Sequence, residues 1–230
     1  ANIIREYEKK YPDIIKPVYQ KENQYSKHVK IIQEVLIPKA KGKYLALCEG
    51  DDYFIDENKL QKQFDFLESH SEYAFCVHNA IKVNTSREKI GEVHPVKENS
   101  DLTCEDFILG GGGFVVTNSI FTHMKYAKNL PDYLKNFSLD YIWQIYFSSK
   151  GKTYCFADEM SAYRIGTEGS WSSRMKKDYD KNINHCKRVK NCLQEIDQYT
   201  NKKYHKAFKK HILKINLIIM KLKVKKIIKV

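Results

Sequence analysis

Tyr44-Leu45-Ala46-Leu47-Cys48-Glu49-Gly50-Asp51-Asp52-Tyr53-Phe54 is the stretch on which the fold turns. Its first five residues are a continuous apolar run of strand length, entered from the turn signal Gly42-Lys43. Such a run suits a strand covered on both faces, as in a parallel sheet. It leads directly into Glu49, Asp51 and Asp52, three carboxylates within four residues. Ligands of open α/β sheets gather at the carboxyl ends of strands. Carboxylates this close repel one another unless a cation or solvent compensates. Hard divalent cations such as Mg2+ take one or two carboxylates together with phosphate oxygens and water. Gly50 lets the backbone turn sharply and keeps side-chain bulk out of such a site. On composition alone, a solvated acidic turn capping the next helix explains these residues equally well.

Downstream, Leu60, Phe64 and Leu67 recur at helical spacing, with Asp56 expected as the N-cap. A second strand is expected over 73–78, where His78 reads as a core histidine, and a polar excursion or hairpin over 82–100. Thr103-Cys104-Glu105-Asp106 opens a short helix that runs into Gly110-Gly111-Gly112-Gly113. That glycine run precedes an apolar stretch and lacks the helix and Lys of a phosphate loop, so it is taken as a loop near an acceptor. Residues 114–121 read as a third strand, 134–149 as a helix and 153–163 as a fourth strand. Upstream, 3–11 reads as an amphipathic helix stopped by Pro12, 14–19 as strand-like, and 25–40 as helical up to Pro38. Strands alternating with helices predict an α/β fold.

The 230 residues suffice for one α/β domain with an appendage, and a hydrophobic content of 42% is enough for a core. No run of 18 apolar residues is present. The six cysteines contain no C-x-x-C pair and read as small core residues of a reducing compartment. The net charge of +12 is uneven: residues 174–230 hold 18 Lys or Arg against 4 Asp or Glu, and the rest holds 22 against 24. The boundary is therefore expected near 173, with 1–173 as one domain and 174–230 as a Lys-rich helical extension. Within 203–230, Phe208, Ile212, Ile215, Ile219 and Leu222 share one helical face. That face either lies on an anionic membrane surface or packs on the rest of the chain. Nucleic-acid binding would also use the basic charge, but it leaves the acidic cluster without a role, and none is expected.

The stretch Lys39-Ala40-Lys41-Gly42-Lys43-Tyr44 through Phe54, followed by Lys59-Leu60-Gln61-Lys62-Gln63, resembles the central motif of family 2 glycosyltransferases, in particular bacterial members that build capsules and lipopolysaccharide. Glu22-Asn23-Gln24-Tyr25-Ser26-Lys27 is similar to a stretch that recurs in that group. Leu139-Asp140-Tyr141-Ile142-Trp143 with Lys150-Gly151-Lys152 resembles the family's helix bearing its catalytic base. Tyr163-Arg164 with Gly169-Ser170-Trp171-Ser172 resembles its closing stretch, except that Gly166 stands where the family has a His.

The resemblance implies a GT-A fold, with a mixed, mostly parallel sheet flanked by helices, and inverting transfer from a nucleotide-sugar donor, a UDP-sugar first among them. The acceptor implied is a glycan or a lipid-linked acceptor at the cytoplasmic face of the membrane. Asp52, with Asp51, is expected to hold Mg2+ or Mn2+, and Glu49 and Asp51 to contact the nucleotide sugar. Arg164 and Trp171 are expected beside the diphosphate or acceptor. Asp140 is expected to act as the base, the alternative being an ordinary helix cap. The family's first strand and nucleotide-binding loop are expected to precede residue 1, which leaves the chain short of about 40 residues. A nucleotidyltransferase making the sugar nucleotide is the other enzyme class consistent with the acidic site.

Overall fold

The computed structural model describes residues 1–27, 29–131, 134, 140–167 and 178–228. The chain divides into two compact units, residues 1–41 and 42–230. In the first, helix α1 (Asn2–Lys10) buries none of its residues. The strand expected over 14–19 does not form. The helical stretch expected over 25–40 is broken, with a 3-10 turn at Gln24–Lys27 and then helical Ile31–Leu36 and Ile37–Lys39. Pro38 does not stop it, because it lies in the first turn of the second piece, where a missing N–H costs nothing.

The second unit is built on two long neighbouring strands. In chain order its elements are β1 (Tyr44–Ala46), β2 (Tyr53–Phe54), α2 (Lys59–Ser69), β3 (Tyr73–Val83), β4 (Lys89–Val93), β5 (Ser100–Leu102), α3 (Cys104–Gly110), β6 (Phe121–His123), α4 (Met124–Lys128), α5 (Asp140–Ser148), β7 (Lys152–Arg164), α6 (Tyr179–Tyr199) and α7 (His205–Ile228). Strands β3 and β7 run parallel from Tyr73 beside Lys152 to Val83 beside Arg164. The shorter strands pair along their outer edges. On β3, β6 takes the first half and β4 the second; on β7, β5 takes the first half and β2 the second. β1 closes the far edge against β6.

The sheet is therefore mixed and not mostly parallel, since β3–β7 is the one parallel pairing among the described residues. β1 and β3 point the same way and are joined through α2, but antiparallel β6 inserts between them. Strand β1 is also two residues shorter than the apolar run. At its end Leu47 N–H still reaches Ile120 O at 3.4 Å, outside the regular ladder.

Helices cover both faces. On one side, Leu67 of α2 packs with Tyr73, Cys76 and Phe121, and Phe66 stacks on Tyr154 at 4.1 Å. On the other, Phe75 meets Phe107 of α3 and Phe147 of α5. Helix α5 is buried from Tyr141 to Ser148, as expected of a helix that is apolar all round. Helix α3 starts on a complete capping box, Thr103 with Asp106. The hairpin β3–β4 occupies the 82–100 excursion.

Two local expectations are corrected. Asp56 is not the N-cap of α2; Asn58 is. The Asp56 carboxylate instead accepts from Asn58 N–H and Lys62 Nζ, both at 2.8 Å, and so steadies the approach to the helix. Residues 114–121 do not form a strand. Thr117–Ser119 makes a single 3-10 turn, and only Phe121–His123 joins the sheet. The stretch is apolar because it is buried, and the polar residues inside it each find a partner: Thr117 donates to Asp140, Asn118 to Asp52 and Ala162 O, and Ser119 to Val116 O.

Candidate active site

The acidic cluster sits where β3 and β7 end. β2 pairs Tyr53 with Ala162, which sets Asp52 beside Arg164. Asp52 Oδ1 accepts the Arg164 backbone N–H at 2.9 Å, and Oδ2 accepts Asn118 Nδ2 at 3.1 Å. Asn118 is itself fixed, donating to Ala162 O at 3.1 Å while its Oδ1 accepts the Ser161 hydroxyl at 2.6 Å. Both Asn118 and Ser161 are fully buried. The 3-10 turn carrying Asn118 is pinned from below by α2. Buried Lys59 donates to Gln63 Oε1 at 2.8 Å, and Gln63 Nε2 donates to Ser119 O at 2.9 Å. The Lys59 ammonium also lies 4.2 Å from the Phe54 ring centroid, and burial pushes its pKa down to about 8.

Asp140 reaches the same cluster from α5. Its Oδ2 accepts the Thr117 hydroxyl at 2.7 Å, and its Oδ1 accepts Tyr141 N–H at 2.7 Å. The second bond is cap-like, whereas the first ties the carboxylate to the turn that also holds Asp52, which helix capping does not require. Glu49 lies close enough for the Thr117 hydroxyl to favour its charged form slightly, against the larger effects of burial and the neighbouring acids.

These groups feel one another's charge. Burial, then Asp140, Asp52 and Asp51, push the Glu49 pKa up to about 7, although the residue as a whole is exposed. Burial raises Asp52 to about 6, with the Arg164 N–H and guanidinium opposing and Asp51 reinforcing. Burial and then the same four carboxylates raise Tyr163. From α6, Asp140 favours the charged form of His185 against burial and Arg188, which lower its pKa more. Arg164, 5.7 Å from the Tyr53 ring centroid, is the cation that acts on Asp52.

The sequence-derived residues Glu49, Asp51, Asp52, Asp140 and Arg164 thus come together, while Trp171 lies outside the described residues. Gly166 has φ of 88°, a left-handed conformation that a histidine adopts only under strain. In the glycine run the close approach is at Gly110, where a Cβ would meet Phe114 at 2.5 Å, whereas nothing lies within 4 Å of a Cβ on Gly113. His78 is buried, with its pKa lowered to about 3 by burial and Lys59. The sequence reading missed Thr117, Asn118, Ser161 and Lys59. The polar trio Thr117-Asn118-Ser119 inside an apolar run was the available signal.

The donor set fits a hard divalent cation that completes its shell with phosphate and water, because Asp51, Asp52 and Glu49 offer oxygen only and their charge is undercompensated. It does not form an all-protein cage. Among the described residues, the group that places three ligand atoms within 4.8 Å of one another is Glu92, His94 and Glu159. That cluster already contains a cation: Lys89 Nζ lies 2.7 Å from Glu92 and 3.0 Å from Glu159.

Fold and site together define a mixed α/β protein with an acidic strand-end site. The chain matches no known family model. It is 28% identical over 172 residues to the uncharacterized protein Mb1547 of Mycobacterium bovis and to the uncharacterized protein Rv1520 of Mycobacterium tuberculosis, covering 74% of this chain and 48% of each relative. The chain thus spans about half the length of the curated relatives it matches.

Proposed function

We propose that the chain carries the core of a metal-dependent inverting glycosyltransferase of GT-A type, acting in the synthesis of bacterial surface polysaccharide. It moves a sugar from a nucleotide-sugar donor, with a UDP-sugar as the first candidate, to a hydroxyl of a glycan or lipid-linked acceptor. The observation that carries this reading is the meeting of Asp140 with the Glu49–Asp52 cluster: Thr117 bonds Asp140, the adjacent Asn118 bonds Asp52, and the Asp140 charge acts on Glu49. Residues far apart in the chain supply a hydroxyl-facing carboxylate and an undercompensated acidic cluster in one place, and the proposed reaction needs both.

Asp140 accepts the proton of the acceptor hydroxyl as its oxygen bonds to the anomeric carbon, and the bond from that carbon to the diphosphate oxygen breaks on the opposite face. The bonds from Thr117 and Tyr141 fix the carboxylate's direction for this task. Asp52 and Asp51 would hold Mg2+ or Mn2+, which would supply positive charge to offset that developing on the departing nucleoside diphosphate. Arg164 stands beside Asp52 as a second positive group for the diphosphate, and Glu49 faces the donor. Asn118 and Ser161 act through Asp52 as positioning residues.

The test is incubation of the chain with a panel of nucleotide sugars and Mn2+, with product analysis. Metal-dependent release of nucleoside diphosphate, lost in Asp52→Asn and Asp140→Asn, is the expected result. Exchange of pyrophosphate would assign a nucleotidyltransferase instead, and near-normal turnover in either variant would sink the assignment of roles.

A further inference from the structure

Helix α7 has two apolar faces, and only one of them is used. Phe208 and Ile215 are buried, with Ile212, Ile219 and Leu222 partly covered on the same side, where α7 packs against α6 and α3. The stripe singled out from sequence is therefore a packing face. Opposite it run Leu213, Leu217, Met220, Val224 and Ile227, spaced by four and three residues and 54 to 75% exposed. A surface helix of a folded domain needs one apolar stripe, and its other face is ordinarily polar.

What borders the second stripe indicates its occupant. On the helical wheel Lys210, Lys214, Lys221 and Lys225 line one side of it and Lys209 and Lys223 the other, and α7 contains no Asp or Glu. Among the described residues none of these six lysines has a carboxylate partner. Lys226, which turns toward the packed side, is engaged with Asp180 at 2.6 Å. Two copies of α7 pairing along this stripe would bring lysines against lysines with no acid to offset them, so self-association is disfavoured. A neutral apolar partner would leave the lysines unused. No described helix is long and apolar enough to cross a membrane.

We propose that this face of α7 lies in the plane of an anionic lipid surface. Leu213, Leu217, Met220 and Val224 enter the acyl boundary while the flanking lysines meet the headgroups. This role stands independently of the catalytic reading, and α6 and α3 hold the helix so that no further folding is needed on contact.

The test is flotation of the full chain with vesicles of phosphatidylcholine alone, or of phosphatidylcholine and phosphatidylglycerol in equal parts. Flotation with the anionic vesicles only is expected, falling more than about tenfold in Leu217→Glu/Val224→Glu. A fall of about fivefold per lysine is expected in Lys214→Gln/Lys221→Gln. Both double variants change exposed positions, and an unchanged thermal melt shows that they fold. Absence of flotation by the parent chain, or equal flotation of parent and variants, overturns the proposal. So does a concentration-dependent dimer in sedimentation that Leu217→Glu/Val224→Glu breaks in a chain that binds no vesicles.

Discussion

Two acidic clusters lie along β7, and they differ in what neutralises them. At Glu92, His94 and Glu159 the carboxylates are exposed or half-buried, and Lys89 and His94 stand among them, with His94 Nε2 2.7 Å from Glu159. The Lys89 ammonium holds Glu92 below its ordinary range. At Glu49, Asp51, Asp52 and Asp140 no lysine forms an ion pair among the described residues, Arg164 acts on Asp52 alone, and Glu49 and Asp52 are pushed up to about 7 and about 6. Proximity of acids therefore does not mark a cation site by itself. The tighter cluster is already balanced, and the looser one retains charge that an external cation can offset.

Removing a carboxylate from each cluster gives the widest contrast. Asp52→Asn or Asp140→Asn is expected to lower the transfer rate by roughly 10²–10⁴-fold, measured as release of nucleoside diphosphate. Glu159→Gln is expected to leave it unchanged.

Asn118→Leu comes next. It removes the amide that holds Asp52 Oδ2 and leaves Ser161 and Ala162 O without that partner. Mn2+ affinity should fall about 10–100-fold, as for other residues that orient a metal ligand. Denaturant melts should show a stability loss of about 1–3 kcal/mol from the buried groups left unpaired.

Smaller effects follow from pH, with opposite signs at the two clusters. Glu49 and Asp52 have raised folded pKa values, so their contribution to stability is fully present below the unfolded carboxylate range. It is lost as pH rises through about 6 to about 7. The melting temperature of the cation-free chain should carry a falling component over that window, which Mn2+ or Glu49→Gln reduces. Glu92 has a lowered pKa, so its contribution is present above the unfolded value and lost on acidification. The smallest effect expected is that of Lys89→Ala, which removes only exposed ion pairs and should leave Mn2+ binding at the Asp52 cluster unaltered.

The comparison also shows what could be read in advance. The Tyr44–Cys48 run placed the acids at a strand end because apolar continuity is a local property. Asp140 was found only through its resemblance to a known motif, since its approach to Glu49 depends on packing of α5 against the sheet. Insertion of β6 between β1 and β3 was not readable from three residues, Phe121–His123, preceded by a buried turn that looks like a strand. In α7 the sequence reading singled out the stripe of Phe208, Ile212, Ile215, Ile219 and Leu222 and passed over the second one, although it too recurs at helical spacing. Which one is packed depends on α6 and α3, and no local pattern encodes that choice.

The undercompensated cluster, and not the tighter one, is the proposed cation site. Titration of Mn2+ at neutral pH, followed by electron paramagnetic resonance with UDP present, tests it on the parent chain, Asp52→Asn and Glu159→Gln. One bound Mn2+ is expected in the parent and in Glu159→Gln, with loss of that site in Asp52→Asn. Retention of the site in Asp52→Asn with loss in Glu159→Gln would contradict it.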